Sequence, residues 1–241
     1  MAKSDRLVAI VTGGSRGIGL ATARSLAGRG IAVVIGARSP AGVEQAVADI
    51  ETSTGATGHV LGVQCDVRRY EDCQRLVAAA VDRFGRLDIL VNNAGVGVYA
   101  RADQLSPEDW RNMIGTNLDG VFYCCREAIP HLERQGGWII NIGSLSGKHA
   151  FRNGTAYNAS KFGLVGFSEA LMEDVRHAGI RVSLIMPGSV ATGFSGSEPG
   201  PGDAWKVQPE DVAQVVLDLL DFPARTMPSR VEMRPTRPPV K

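Results

Sequence analysis

Residues 7–30 read LVAIVTGGSRGIGLATARSLAGRG, and their order of apolar run, glycine turn and helical pattern decides the fold. LVAIV (7–11) is β-branched and lacks polar alternation, as in a strand covered on both faces. Thr12-Gly13-Gly14-Ser15-Arg16-Gly17-Ile18-Gly19 follows at once. Gly13 permits a tight turn, Gly17 lets backbone come close to a pyrophosphate, and Gly19 lets the next helix pack against the strand. Free N–H groups at the start of LATARSLAGRG then face an anion. A glycine-rich turn alone is a weak signal; a strand before it and a helix after it make it a dinucleotide-type phosphate turn.

Further along the chain the same alternation repeats. IAVVIGA (31–37), HVLGVQC (59–65), LDILVNN (87–93), WIINIGS (138–144), RVSLIMP (181–187) and SRVEM (229–233) read as six further strands. Segments with apolar spacing near 3.6 lie between them, among them CQRLVAAAVDRF and FGLVGFSEALMEDV. Strands alternating with helices imply right-handed crossovers. The expectation is an α/β, Rossmann-like doubly wound domain over residues 1–241, with a seven-stranded, mostly parallel sheet and about six helices on its two faces. One stretch is irregular: GSVATGFSGSEPGPGDAWKVQ, 188–208, which follows the sixth strand at the carboxyl edge, where ligands of such sheets bind. It reads as a mobile flap over a substrate.

Composition narrows the function. The 241 residues hold 26 Lys plus Arg against 25 Asp plus Glu, a formal net charge of +1. That balance supplies no broad positive field, so neither nucleic acid nor an anionic membrane is an expected partner. No apolar run reaches the length of a membrane span, and MAKSDRLVAI carries charges where a signal peptide needs its apolar core. Cys65, Cys73, Cys124 and Cys125 form no CxxC pair, and His59, His131, His149 and His177 stand far apart. Free thiols in a reducing cytoplasm, and no metal, are the reading.

The second strand ends Gly36-Ala37-Arg38. A site for NAD wants an acidic residue about there, to accept bonds from the ribose 2′-hydroxyl. Ala37 and Arg38 stand in that place, and Arg16 lies within the glycine turn. Two guanidinium groups suit a 2′-phosphate, which favours NADP(H).

Tyr157-Asn158-Ala159-Ser160-Lys161 opens the helical segment after the fifth strand. Positions i and i+4 share a helix face, so Lys161 can sit beside the Tyr157 phenol. An isolated tyrosine titrates near ~10, and a neighbouring cation lowers that value. The phenol then serves as acid toward a carbonyl oxygen and as base in reverse. Ser144 closes the fifth strand, where its hydroxyl can hold the same oxygen. Asn117, in the long helical segment after Asp109, could hold an ordered water near Lys161.

With these residues in place, the chain resembles the classical short-chain dehydrogenases/reductases from about residue 7 to residue 234. The resemblance rests on TGGSRGIG (12–19), Asp66-Val67, Asn92-Asn93-Ala94-Gly95, Asn117, Ser144, YNASK (157–161) and Pro187-Gly188 with Thr192. It implies a catalytic tetrad of Asn117, Ser144, Tyr157 and Lys161. Tyr157 would be the acid/base, and Lys161 would also bind the nicotinamide ribose. Asp66 and Val67 would contact adenine, though Asp66 could equally cap the next helix. Asn93, with Ala94 and Gly95, would line the cofactor cleft, while Val190 and Thr192 beyond Pro187-Gly188 would meet the nicotinamide carboxamide. It also implies a homotetramer, or a homodimer, packed through the helices around Asn117 and Tyr157.

The carboxyl end, PARTMPSRVEMRPTRPPVK, lacks the threonine-glycine turn and Asp-Gly-Gly segment usual in bacterial 3-oxoacyl-acyl-carrier-protein reductases. It looks more like the branch acting on hydroxy acids or small carbonyls. A pocket wall of Val96, Val98, Leu145, Phe151, Val190, Phe194 and Trp205 suits an apolar carbonyl compound, and Lys148, His149 or Arg152 could reach an anionic group. The expected activity is NADP(H)-dependent interconversion of a secondary alcohol, or 3-hydroxy acid, and a carbonyl compound. A 3-oxoacyl thioester reductase and a non-catalytic NADP(H) sensor are the rival readings.

Overall fold

The computed structural model describes residues 6–196 and 198–239. Seven strands run β1 (Val8–Thr12), β2 (Ala32–Ala37), β3 (Val60–Gln64), β4 (Ile89–Asn92), β5 (Gly137–Ile142), β6 (Ile180–Pro187) and β7 (Arg230–Met233). They form one sheet in the order β3-β2-β1-β4-β5-β6-β7. Every neighbouring pair is parallel, so the sheet is wholly parallel among the described residues.

Adjacent residues of an inner strand serve opposite cores, which is why those strands show no polar alternation, whereas edge strand β7 alternates exposed Arg230 and Glu232 with half-buried Val231 and Met233. Val8 and Ile10 of β1 join one apolar cluster, while Ala9 and Val11 join the other. Helices α1 (Gly17–Gly28), α2 (Pro40–Thr54) and α7 (Pro209–Asp221) cover the second cluster. Helices α3 (Tyr70–Phe84), α5 (Gly120–Leu132) and α6 (Thr155–Val175) cover the first, and α4 (Pro107–Ile114) packs against α6. All four cysteines are buried and unbridged.

The helices start where local chemistry dictates. The Ser39 hydroxyl accepts from Gly42 N–H ahead of α2, and Ser106 from Asp109 N–H ahead of α4; a proline follows each cap. Among the described residues seven α-helices form rather than about six, because a π turn at Gly115–Asp119 divides the long segment that holds Asn117. Irregular residues 188–208 are partly ordered: Ala191 N–H donates to the Val207 carbonyl and Val207 N–H to that of Ser189. Residue 197 lies outside the described residues.

β1 has β2 on one side and β4 on the other, so the chain leaves the carboxyl ends of these strands in opposite directions and opens a crevice. A buried polar seam holds the β4–β5 side of that crevice. Asn92 Nδ2 donates to Asn141 Oδ1 at 2.9 Å, Asn141 Nδ2 to Ser168 Oγ at 2.9 Å, and Ser168 Oγ to the Leu164 carbonyl at 2.7 Å. Asn141→Ala leaves the Asn92 amide without this acceptor in a dry interior. It should lower the unfolding free energy by about 2–4 kcal/mol, read by urea denaturation at fixed protein concentration; a loss below ~1 kcal/mol would mean the seam is peripheral.

Candidate active site

The glycine turn is held against β2 and β4 together. Gly13 N–H donates to the Gly36 carbonyl at 2.7 Å. From β4, Asn93 Nδ2 donates to the Thr12 carbonyl at 2.9 Å and to that of Gly13 at 3.2 Å. The Thr12 hydroxyl accepts from Asn93 N–H and Ala94 N–H. Gly13 has φ +65°, a left-handed conformation that suits glycine. Gly19 is required for space: a Cβ there would lie 2.2 Å from the Gly13 carbonyl oxygen and 2.5 Å from Asn93 Nδ2. No side chain caps α1, whose first-turn N–H groups belong to Gly17, Ile18 and Gly19. Thr192 reaches over this turn, since a Cβ on Gly17 would lie 3.2 Å from Thr192 Cγ2.

Arg16 and Arg38 are exposed, and their guanidinium groups have no hydrogen bond or ion pair among the described residues; only their main-chain carbonyls are engaged, by Leu20 N–H and Gln64 Nε2. The first turn of α2 abuts the glycine turn: a Cβ on Gly42 would lie 3.8 Å from Ser15 Cβ. These features fit a phosphorylated dinucleotide: space kept free of side chains, unclaimed amides at a helix start and two free guanidinium groups beside them.

Asp66 and Val67 play different parts from one another. The Arg68 guanidinium pairs with the Asp66 carboxylate and holds it below the usual range, and Arg68 also donates to Asn112 Oδ1 at 3.0 Å. Asp66 is not the cap of α3; Arg69 stands there, because the carboxylate turns back onto Arg68. The Val67 side chain is buried against Gly120, and its carbonyl accepts from the Cys73 thiol at 3.5 Å.

Tyr157, Ser144 and Lys161 converge. Ser144 follows β5 in extended backbone, its Oγ accepts from Ser146 N–H at 3.1 Å, and its hydroxyl hydrogen-bonds the Tyr157 phenol. Lys161 is 5% exposed; its ammonium donates to the Ile142 carbonyl at 3.0 Å and lies 5.9 Å from the centre of the Tyr157 ring. Burial pulls the ammonium down to about 8. The phenol moves opposite to the sequence expectation. Burial pushes it up to about 12, the Ser144 bond pulls it partway back, and Tyr99 raises it further. The lysine does not offset that rise, because it is directed at the end of β5 rather than at the phenol oxygen.

The Asn117 side chain makes three hydrogen bonds. Its Oδ1 accepts from Val96 N–H at 2.9 Å, and its Nδ2 donates to the Val96 carbonyl at 2.9 Å and to Ser160 Oγ at 3.0 Å. Two residues that the sequence reading passed over complete the scaffold. Ser160 donates to the Tyr157 carbonyl at 2.8 Å. Asn158 Nδ2 donates to the Ser146 carbonyl at 2.7 Å, and its Oδ1 accepts from Phe151 N–H at 3.3 Å. Both are polar residues on a buried helix face, and that pattern was the available signal.

Val96 and Val98 pack with Tyr157, and Phe194 stacks edge-on to it at 5.9 Å. Leu145 sits against Gly188 beside β7, and Val190 bridges to Val207. Trp205 contacts Lys206 rather than the tyrosine. Lys148 is bound to Glu232 at 2.8 Å, while His149 and Arg152 are exposed.

The short chain dehydrogenase family profile matches residues 7–199, four-fifths of the chain. The chain belongs to the short-chain dehydrogenase family. It is an oxidoreductase of that family, with the family's single Rossmann-like domain. A 3-oxoacyl-[acyl-carrier-protein] reductase of Synechocystis is 35% identical over 90% of this chain and 90% of its own. An alcohol dehydrogenase of Thermococcus sibiricus, solved with 5-hydroxy-NADP, superposes with a TM-score of 0.90 at 30% identity over 98% and 100% of the two chains. A 3-ketoacyl-(acyl-carrier-protein) reductase of Brucella melitensis, solved with NADH, gives 0.85 at 30% identity over 94% and 96%.

The buried ammonium yields a test. Lys161 binds its proton less tightly folded than unfolded, so it weakens the fold below pH 8, and that penalty fades as pH rises from about 8 toward 10.5. Lys161→Met should therefore be more stable than the parent at pH 7 by about 1–3 kcal/mol, with the gap narrowing by pH 10. A variant less stable at pH 7, by denaturant titration, would show that the ammonium is better solvated than its burial implies.

Proposed function

We propose that this protein is an NADP(H)-dependent oxidoreductase that interconverts a secondary alcohol and a carbonyl compound, with Tyr157 as proton donor and acceptor. The observation that carries the reading is the meeting of the Tyr157 phenol, the Ser144 hydroxyl and the buried Lys161 ammonium at the carboxyl edge of the sheet. An incidental tyrosine and lysine on one helix face would not bury the lysine there.

Gly13, Ser15, Arg16, Gly17, Ile18 and Gly19 would hold the pyrophosphate, and Arg16 with Arg38 the 2′-phosphate. Asp66 and the Val67 backbone would meet adenine. Asn93, Ala94 and Gly95 would form the cleft floor, with Tyr157 and Lys161 at the ribose and Pro187, Gly188, Val190 and Thr192 at the carboxamide. The chemistry supplied by the bound dinucleotide is hydride transfer. The Ser144 hydroxyl orients the substrate oxygen, and the Tyr157 hydroxyl donates its proton to that oxygen in reduction or takes it back in oxidation. A phenol at about 12 is protonated at neutral pH and ready to donate. Oxidation needs the phenolate, which a positive charge brought near the ring favours. With both Nδ2 hydrogens bound, the Asn117 side chain would meet a relay water only as an acceptor, through Oδ1. Residues 188–208 carry Thr192 and Phe194 over the site and act as its flap.

The Synechocystis and Brucella relatives favour a 3-oxoacyl thioester as a second choice of substrate. Assembly as a tetramer or dimer is part of the reading, supported by Trp110, Phe122 and Phe162, each more than 40% exposed on α4, α5 and α6. A reducing, cytoplasmic setting suits four unbridged thiols.

Tyr157→Phe should lower kcat for carbonyl reduction by at least about a hundredfold, with the Kd for NADPH within about twofold of the parent. Tight NADPH binding by the parent with no turnover of ketones, keto acids or acetoacetyl thioesters would favour a dinucleotide sensor. Separately, Arg38→Asp should move the ratio of kcat/KM values from NADPH toward NADH by about tenfold or more; an unmoved ratio would mean that Arg38 does not meet the 2′-phosphate.

A further inference from the structure

Three half-exposed rings from three different loops surround the Tyr157 phenol. Tyr99, after β4, lies edge-on at 5.6 Å between ring centres; Phe151, between β5 and α6, at 6.3 Å; and Phe194, after β6, at 5.9 Å. Tyr99 and Phe151 also meet each other edge-on at 5.5 Å. Their exposures are 45%, 43% and 38%, so each keeps an open surface after these contacts.

The arrangement is built rather than collapsed. Phe194 seats on Gly97 and Phe151 on Gly154, where an added Cβ would come within 2.8 Å and 2.6 Å of the rings. Asn158 also fixes the Phe151 backbone. The Tyr99 hydroxyl has no hydrogen-bond partner among the described residues, so nothing but ring contact anchors it. Lys148 is already matched: Glu232 binds both Lys148 at 2.8 Å and Arg234 at 3.1 Å, while His149 and Arg152 stay exposed at the rim. That pairing removes Lys148 as an anchor for a substrate carboxylate.

An apolar wall alone accepts chains and rings alike. Rings held edge-on favour a further flat ring, since each additional aromatic pair gains roughly two- to tenfold in affinity beyond the area it buries. We propose that the open surfaces of Tyr99, Phe151 and Phe194 receive the non-reacting part of the substrate, that this part is a flat aryl ring fused or bonded to the carbonyl carbon, and that Tyr99 sets the preference. The inference deepens the oxidoreductase reading and rests on it.

The test compares two ten-carbon ketones, 1-tetralone and the open-chain 2-decanone. Binding to the protein saturated with NADP+ is read by calorimetry, and NADPH consumption gives kcat/KM. The parent should prefer 1-tetralone by about tenfold in both measurements, although 2-decanone is the more apolar. Tyr99→Phe should keep that ratio, and Tyr99→Leu should cut it at least about threefold. Phe151→Leu serves as a second variant should Tyr99→Leu not fold.

Equal or tighter binding of 2-decanone to the parent overturns the inference, and its turnover with NADPH would leave the oxidoreductase reading intact. A ratio unmoved by Tyr99→Leu removes the role of Tyr99, and with it the proposal. Preferred binding of 1-tetralone without NADPH consumption separates the two ideas the other way: the ring subsite stands, and the proposed chemistry falls.

Discussion

Asn93 ties the ends of two strands that diverge. Its amide holds the Thr12 and Gly13 carbonyls, its N–H meets the Thr12 hydroxyl, and Gly19 fits beneath only because it has no Cβ. A sheet that reverses its winding at β1 would otherwise open there without control. These short bonds set the width of the crevice, the direction of α1 and the position of the loop after β4. That loop carries Val96 to Asn117 and Tyr99 to Tyr157.

From this tie the site is assembled in relays of backbone contacts. Asn117 grips Val96 from one side and Ser160 from the other, and Ser160 grips the Tyr157 carbonyl. Asn158 draws in the stretch between Ser144 and Phe151. Residues that look like polar filler within YNASK therefore decide where the phenol and the alcohol stand. Lys161 shows the opposite economy: its burial is unfavourable for the fold, and among the described residues the ammonium has the Ile142 carbonyl and the Tyr157 ring beside it.

The architecture was readable because the inner strands feed two cores, and the resulting unbroken apolar runs are a pattern that a sequence displays. The glycine turn was readable for a similar reason, since the limits at Gly13 and Gly19 are local. What escaped was tertiary. A π turn leaves no signature in GTNLD, so α4 and α5 read as one helix. The direction of the Tyr157 shift depends on where the lysine nitrogen ends up, which i,i+4 spacing alone does not determine. Lys148 looked available until β7 brought Glu232 beside it, 84 positions away in the chain. The cap assigned to Asp66 failed to a neighbour only two residues off, because a guanidinium can fold back where a helix start was expected.

The widened turn at Gly115–Asp119 governs more than its own five residues. One surplus residue rotates everything downstream by about 100° around the helix axis. The apolar stripe of α5, with Val121, Cys124, Cys125, Ala128 and Leu132 facing inward, is phased to that offset. Trimming the surplus residue would swing this whole stripe toward solvent. An irregularity of five residues thus sets the phase of the thirteen that follow it.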